Sequence, residues 1–166
     1  NISFLNDEAW LSCGFGIVII NLQRQEIKDT YLLGEGGTTL GINDVETDGP
    51  NVYAASNDGI LKAPLDGTNL ADFRNWELIT SIPFYTEKFS FLSYHSGSLI
   101  ANYTPDQYDQ DKMYRLEGEQ WIEYFPEVRF VNDMQTNGNY LVITSRESVY
   151  AIDNNHSLLG VLNYYQ

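Results

Sequence analysis

The stretch that concentrates the most chemical groups is Tyr103–Thr104–Pro105–Asp106–Gln107–Tyr108–Asp109–Gln110–Asp111. Two tyrosines offer rings that can stack on sugars or peptide planes, and three carboxylates can accept hydrogen bonds from hydroxyls. Tyr103, Asp106, Tyr108, Asp109 and Asp111 are therefore the candidate ligand or partner contacts. The same aspartates invite a calcium reading, since a hard cation takes six to eight oxygens. Their D-x-x-D-x-D order lacks the alternation, the glycine and the distal glutamate of a calcium loop, so no metal site and no cofactor is expected.

The remaining reactive residues do not assemble into a catalytic pattern. His95 and His156 each lie beside a turn, at Ser96–Gly97 and Asn154–Asn155, and read as loop histidines with no serine and carboxylate partner to make a triad. Cys13, the only cysteine, follows Trp10–Leu11–Ser12 and reads as a small buried apolar side chain; alone it excludes an intrachain disulfide. Gly34–Glu35–Gly36–Gly37 lacks the Lys–Ser/Thr and the helix of a phosphate cradle and reads as a link. Glu117 and Glu119 suggest a glycosidase pair, but their place is the tip of a predicted hairpin rather than a cleft. The catalytic set is empty, and a non-enzyme is expected.

These residues are carried by a repeat. Ile42–Asn43–Asp44–Val45, Asp48–Gly49 and Val52–Tyr53–Ala54–Ala55–Ser56 recur as Val131–Asn132–Asp133–Met134, Asn137–Gly138 and Tyr140–Leu141–Val142–Ile143–Thr144, with the starts of the two copies 89 positions apart. Trp76 and Trp121 stand 45 positions apart, so two independent markers give one period of about 44–45 residues. Within each period, short runs rich in β-branched and aromatic residues alternate with turn residues, the pattern of antiparallel hairpins. The runs are Ile2–Leu5, Ala9–Cys13, Gly16–Asn21 and Glu26–Leu33; Ile42–Thr47, Val52–Ser56, Gly59–Ala63 and Trp76–Ile79; Phe89–Tyr94, Ser98–Asn102, Lys112–Leu116 and Gln120–Tyr124; and Val131–Thr136, Tyr140–Thr144, Ser148–Ile152 and Ser157–Asn163.

Four such copies predict an all-β fold, a β-propeller of four four-stranded blades over 1–40, 41–87, 88–129 and 130–166, read as a segment of a larger ring whose terminal blade faces are covered elsewhere. All five prolines are placed between strands, and Trp10, Tyr53, Leu99 and Tyr140 are expected to pack between blades. The candidate loop then joins the second and third strands of the third blade, on the face where the links between blades also run.

Composition limits the partners. The 166 residues are enough for a sizeable core, and 43% hydrophobic content is that of a folded domain without a membrane-length apolar run. A net charge of −14, from 23 acidic against 9 basic side chains, repels a phosphate backbone and disfavours anionic lipid. Nucleic acid and membrane insertion are not expected. The chain opens Asn1–Ile2–Ser3–Phe4 without a leader, so it is read as a piece of something longer.

The elements Ile42–Asn43–Asp44–Val45 and Tyr53–Ala54–Ala55–Ser56–Asn57–Asp58–Gly59–Ile60 resemble the two-component-regulator propeller repeat. More narrowly, Gly14–Phe15–Gly16–Ile17–Val18, Glu26–Ile27–Lys28–Asp29–Thr30–Tyr31 and Asn69–Leu70 with Phe73–Arg74–Asn75–Trp76 resemble the amino-terminal propeller of the PorZ family. The third and fourth copies depart from the repeat, with Ser145–Arg146–Glu147–Ser148 where the family has N-x-G. The resemblance implies an exported Bacteroidetes surface protein, in the periplasm or on the outer surface, that supports type IX secretion and the attachment of cargo to the cell surface. It implies protein partners and surface glycan, although the acidity opposes a direct grip on an anionic glycan. The alternatives are the periplasmic sensing portion of a hybrid two-component regulator and, more weakly, a propeller-based lyase or glycosidase.

Overall fold

The computed structural model describes residues 1–107 and 110–164. The first sheet is β1 (Ile2–Leu5), β2 (Glu8–Cys13), β3 (Gly16–Asn21) and β4 (Glu26–Tyr31), and the second is β5 (Ile42–Thr47), β6 (Asn51–Ser56), β7 (Gly59–Pro64) and β8 (Glu77–Leu78). The third is β9 (Phe89–His95), β10 (Ser98–Tyr103), β11 (Lys112–Glu117) and β12 (Gln120–Glu123); the fourth is β13 (Val131–Thr136), β14 (Leu141–Ser145), β15 (Ser148–Ile152) and β16 (Leu158–Asn163). Each is a four-stranded antiparallel meander in sequence order, so the chain is the predicted set of four propeller blades. Two short 3-10 turns, Glu35–Gly37 and Phe73–Asn75, are the only helical turns among the described residues.

The alternation of side chains along a strand decides what joins the blades. In β6, Val52 and Ala54 enter a core shared with Trp10, Ile17 and Ile19 of the first sheet, while Tyr53 and Ala55 enter one shared with Phe89, Leu92 and Leu99 of the third. In β10 and β14, Ile100 meets Leu141 and Ile143 in a third core. A strand buried on both faces must be apolar or small at every position, which is why β6 reads Val–Tyr–Ala–Ala.

The repeat is visible bond by bond. Thr47 Oγ1 accepts from the Gly49 N–H and Thr136 Oγ1 from the Gly138 N–H. Ser56 Oγ donates to the Gly59 carbonyl and Ser145 Oγ to that of Ser148. The N–H groups of Asn57 and Arg146 reach back to the carbonyls of Gly41 and Phe130. Each pair is separated by the 89 residues seen in the sequence.

Several expectations are corrected. Tyr140 lies outside β14 and is 45% exposed, because its side of the fourth sheet has no following blade packed on it. Pro64 is the last residue of β7, opposite Asn51, rather than between strands; a strand end tolerates the missing donor. Cys13 is half-buried, not buried, at the end of β2. The outward sides of the two end sheets leave Ile2, Phe4 and Ile27 exposed at one end and Leu159 and Leu162 at the other.

Candidate functional site

Three places carry polar chemistry. The first is the face where the links between blades run, around the stretch Tyr103–Asp111. A cavity of about 690 Å³ lies between the link that precedes β9, which supplies Phe84, Glu87 and Lys88, and the start of the β10–β11 loop, which supplies Thr104, Pro105 and Asp106. Tyr103 is not a free platform. It is the last residue of β10, buried, and its ring stacks on Phe84 with centroids 4.4 Å apart, while Lys112 sits over the Phe84 ring at 5.8 Å. Burial raises the Tyr103 phenol above its ordinary pKa. Asp111 is also buried, and Asp106 is exposed. Tyr108 and Asp109 lie outside the described residues. Among the described residues the exposed aromatic of this cavity is therefore Phe84, a residue that the sequence does not single out because Ile82–Pro83–Phe84 reads as an ordinary link.

The second place is the hub, where the inner strands β1, β5, β9 and β13 converge. Asp44 is 3% exposed, and its carboxylate accepts three bonds: Val45 N–H at 2.9 Å, Asn1 Nδ2 at 2.7 Å and Leu92 N–H at 2.9 Å. Glu46 accepts from the N–H groups of Thr47 at 2.8 Å and Tyr94 at 3.1 Å. Each carboxylate thus ties its own strand to the inner strand of the next blade, whose edge N–H groups would otherwise lack partners. Ser3 Oγ and Asn43 Nδ2 make comparable ties to the carbonyls of Val45 and Phe89. Burial pushes the Asp44 carboxyl up to about 6 and also raises that of Glu46. Nothing in the sequence signals this role, since Asp44 reads as one consensus letter of a repeat.

The third place is the seam between the third and fourth blades. His95 is not a loop histidine: it ends β9, is 1% exposed, and bridges Asp153 O at 2.9 Å through Nε2 and Thr136 Oγ1 at 3.3 Å through Nδ1. A carbonyl accepts only, so Nε2 carries the proton. His156, at φ +59°, meets the Tyr124 hydroxyl through Nδ1 at 3.1 Å and stands edge-on to the His95 ring at 5.5 Å. Burial, with the Arg115 guanidinium and His95 as further causes, lowers its pKa. These contacts are cross-braces between β9, β12 and the turn after β15. Glu117 and Glu119 flank the tight β11–β12 turn, with Glu117 paired to Arg115. Among the described residues no three His, Cys, Asp or Glu side chains converge as a metal would need.

Comparison with known proteins follows the same lines. Residues 1–77 match the family described as the PorZ N-terminal beta-propeller domain of the type IX secretion system. The solved structure of PorZ from Porphyromonas gingivalis, described as an essential bacterial surface component of that system, is similar with a TM-score of 0.76 at 14% identity, over 98% of this chain and 20% of that one. The extracellular domain of a putative one-component system from B. thetaiotaomicron is similar with a TM-score of 0.55 at 17% identity, over 98% of this chain and 22% of the other. A calcium-binding regucalcin from Agrobacterium tumefaciens gives 0.63 at 12% identity, over 98% and 57%. No curated protein sequence matches the chain. The chain spans about a fifth of the PorZ structure, and at these identities the solved structures show the fold.

Proposed function

We propose that this PorZ-like chain, whose first 77 residues match the PorZ N-terminal propeller, is a non-catalytic interaction module of an exported surface protein that supports type IX secretion and cargo attachment. The observation that carries this reading is the coincidence of that match with the similarity to the PorZ propeller over 98% of the chain. The polar groups favour it as well: His95, Asp44 and Glu46 are engaged in holding blades together, which is scaffold work rather than proton transfer. The contact surface is the link face around Asp106, Phe84 and Lys88, with Tyr103 packed beneath it; Tyr108, Asp109 and Asp111 follow in the sequence as further candidate contacts. A net charge of −14 favours a protein partner with basic groups over an anionic glycan.

The test replaces Phe84 and Asp106 with alanine in the full-length protein and follows cargo secretion and surface attachment in the native cell. Attachment should fall while the protein level is unchanged; attachment at the wild-type level would remove this face from the proposal. Turnover of a glycan by the purified protein, abolished by the same pair of changes, would overturn the non-catalytic reading.

A second reading is a periplasmic ligand-sensing propeller of a two-component regulator, favoured by the similarity to the extracellular domain from B. thetaiotaomicron. The encoded sequence after Gln166 discriminates: a membrane-spanning helix and a kinase domain point to sensing, and a further propeller with a sandwich domain points to secretion.

A further inference from the structure

The hub contains a cavity of about 240 Å³ to which all four inner strands contribute. Its origin is a substitution within the repeat. In β5, Glu46 is long enough to reach the Tyr94 N–H of the next blade. The corresponding position of β9, on the same side of Leu92 as Glu46 is of Val45, carries Ser93, which is 1% exposed and whose hydroxyl has no hydrogen-bond partner. An unpaired hydroxyl at that depth costs about 1–3 kcal/mol unless something occupies the space in front of it.

The lining is two-sided. Glu46, Ser93 and Gln135 supply acceptor atoms, while Ile2, Phe4 and Met134 supply an apolar wall. Each Glu46 oxygen accepts one backbone N–H and keeps a further lone pair, and no lysine or arginine among the described residues forms a salt bridge with Glu46 or with neighbouring Asp44. Burial holds both carboxyls above their usual range. A calcium ion is a poor fit, because it takes six to eight oxygens and no three acidic side chains converge. An alkylammonium group fits better: three N–H donors for the carboxylate, the hydroxyl and the amide oxygen, and a methylene stem for the apolar wall. Asn1, Ile2, Phe4 and Gln135 are exposed, which leaves the cavity open to an entering chain.

We propose that the hub cavity binds a primary alkylammonium group, held by the Glu46 carboxylate and the Ser93 hydroxyl with its alkyl stem against Ile2, Phe4 and Met134. The chemistry is common to a free diamine and to a lysine side chain of a docked protein segment. Calorimetric titration of the full chain with 1,4-diaminobutane and with N-acetyl-lysine methylamide distinguishes them, with N-acetyl-norleucine methylamide and calcium chloride as comparators. Saturable binding of either amine should weaken about tenfold in Glu46→Gln and about threefold in Ser93→Ala. Ser93→Ala removes a hydroxyl without a partner and so preserves the fold even if Glu46→Gln does not. Binding of the diamine alone identifies a free amine as the ligand, and binding of the lysine amide identifies a docked side chain. Absence of saturable amine binding, equal binding of the norleucine analogue, unchanged affinity in Ser93→Ala, or calcium binding in place of amine binding would each overturn the proposal.

Discussion

Asp44→Asn tests the hub architecture most sharply. The wild-type carboxyl titrates at about 6 in the folded chain against 3.8 in an exposed reference, a shift of about 2 units, or ~3 kcal/mol between the two protonation states. The raised value means that the folded state holds the proton more tightly. Its contribution is full below about pH 3.8, declines as pH rises, and is gone above about 6. Between pH 4.5 and 7.5 linkage gives a loss of about 2 kcal/mol from this group alone. Asparagine has no such term. It keeps one acceptor oxygen for three donors and turns its amide N–H₂ toward Leu92 N–H or Asn1 Nδ2, which leaves it, independently of pH, about 1–3 kcal/mol less stable than the protonated carboxyl. The variant should therefore be clearly less stable than wild type at pH 4.5 and nearly equal to it at pH 7.5. Urea unfolding of both proteins at several pH values gives the difference directly, and other titrating groups cancel in it. A difference that stays constant within about 0.5 kcal/mol across this range would refute the burial-raised Asp44 carboxyl.

Other expectations concern the blades themselves. Gly59→Ala should destabilise by about 3 kcal/mol or more in chemical denaturation, because φ is +110° and a Cβ there would meet the Tyr85 carbonyl at 2.1 Å; a loss under about 1 kcal/mol would contradict that close approach. Tyr53→Ala should cost about 3–5 kcal/mol, whereas Tyr140→Ala, just before β14, should change stability by no more than about 0.5 kcal/mol; equal losses would show that a further surface covers Tyr140. For His156 the lowered folded pKa disfavours protonation in the fold, so its contribution is complete above about 6.5 and is lost as pH falls below that value. His156→Asn, which tolerates the positive φ, should flatten the acid side of the stability profile, and an unchanged profile would remove His156 from the pH response.

The link face shows why the candidate site was only partly legible. Tyr103 and Asp106 are close in sequence and equally polar in type, yet one is stacked under Phe84 and the other is exposed. The ring that presents itself, Phe84, comes from a different blade's link about twenty residues earlier. Spacing along one segment reports which groups are near each other; it does not report which of them a second segment covers. His95 makes the same point from the opposite side, for the bonds that bury it come from Thr136 and Asp153, far along the chain.

By itself the sequence determined the four-stranded repeat, nearly all strand positions and the polarity of each turn, because hairpin chemistry is local: alternation with period two sets the faces, and glycine, asparagine and aspartate set the reversals. It also determined the acidity that bears on partners. Only the tertiary structure decided what each face meets. Asp44 and Asp133 stand in matching Asn–Asp dipeptides, and each accepts from the N–H of the residue that follows. Asp44 also ties down the next blade through Leu92, while Asp133 bonds the nearby Gln135 side chain. Tyr53 and Val142, 89 positions apart, diverge in the same way, the first buried between two sheets and the second half-buried. The physical reason is that burial, and with it pKa and hydrogen-bond partnership, belongs to the interface between two sheets, and a repeat contributes only one side of each interface.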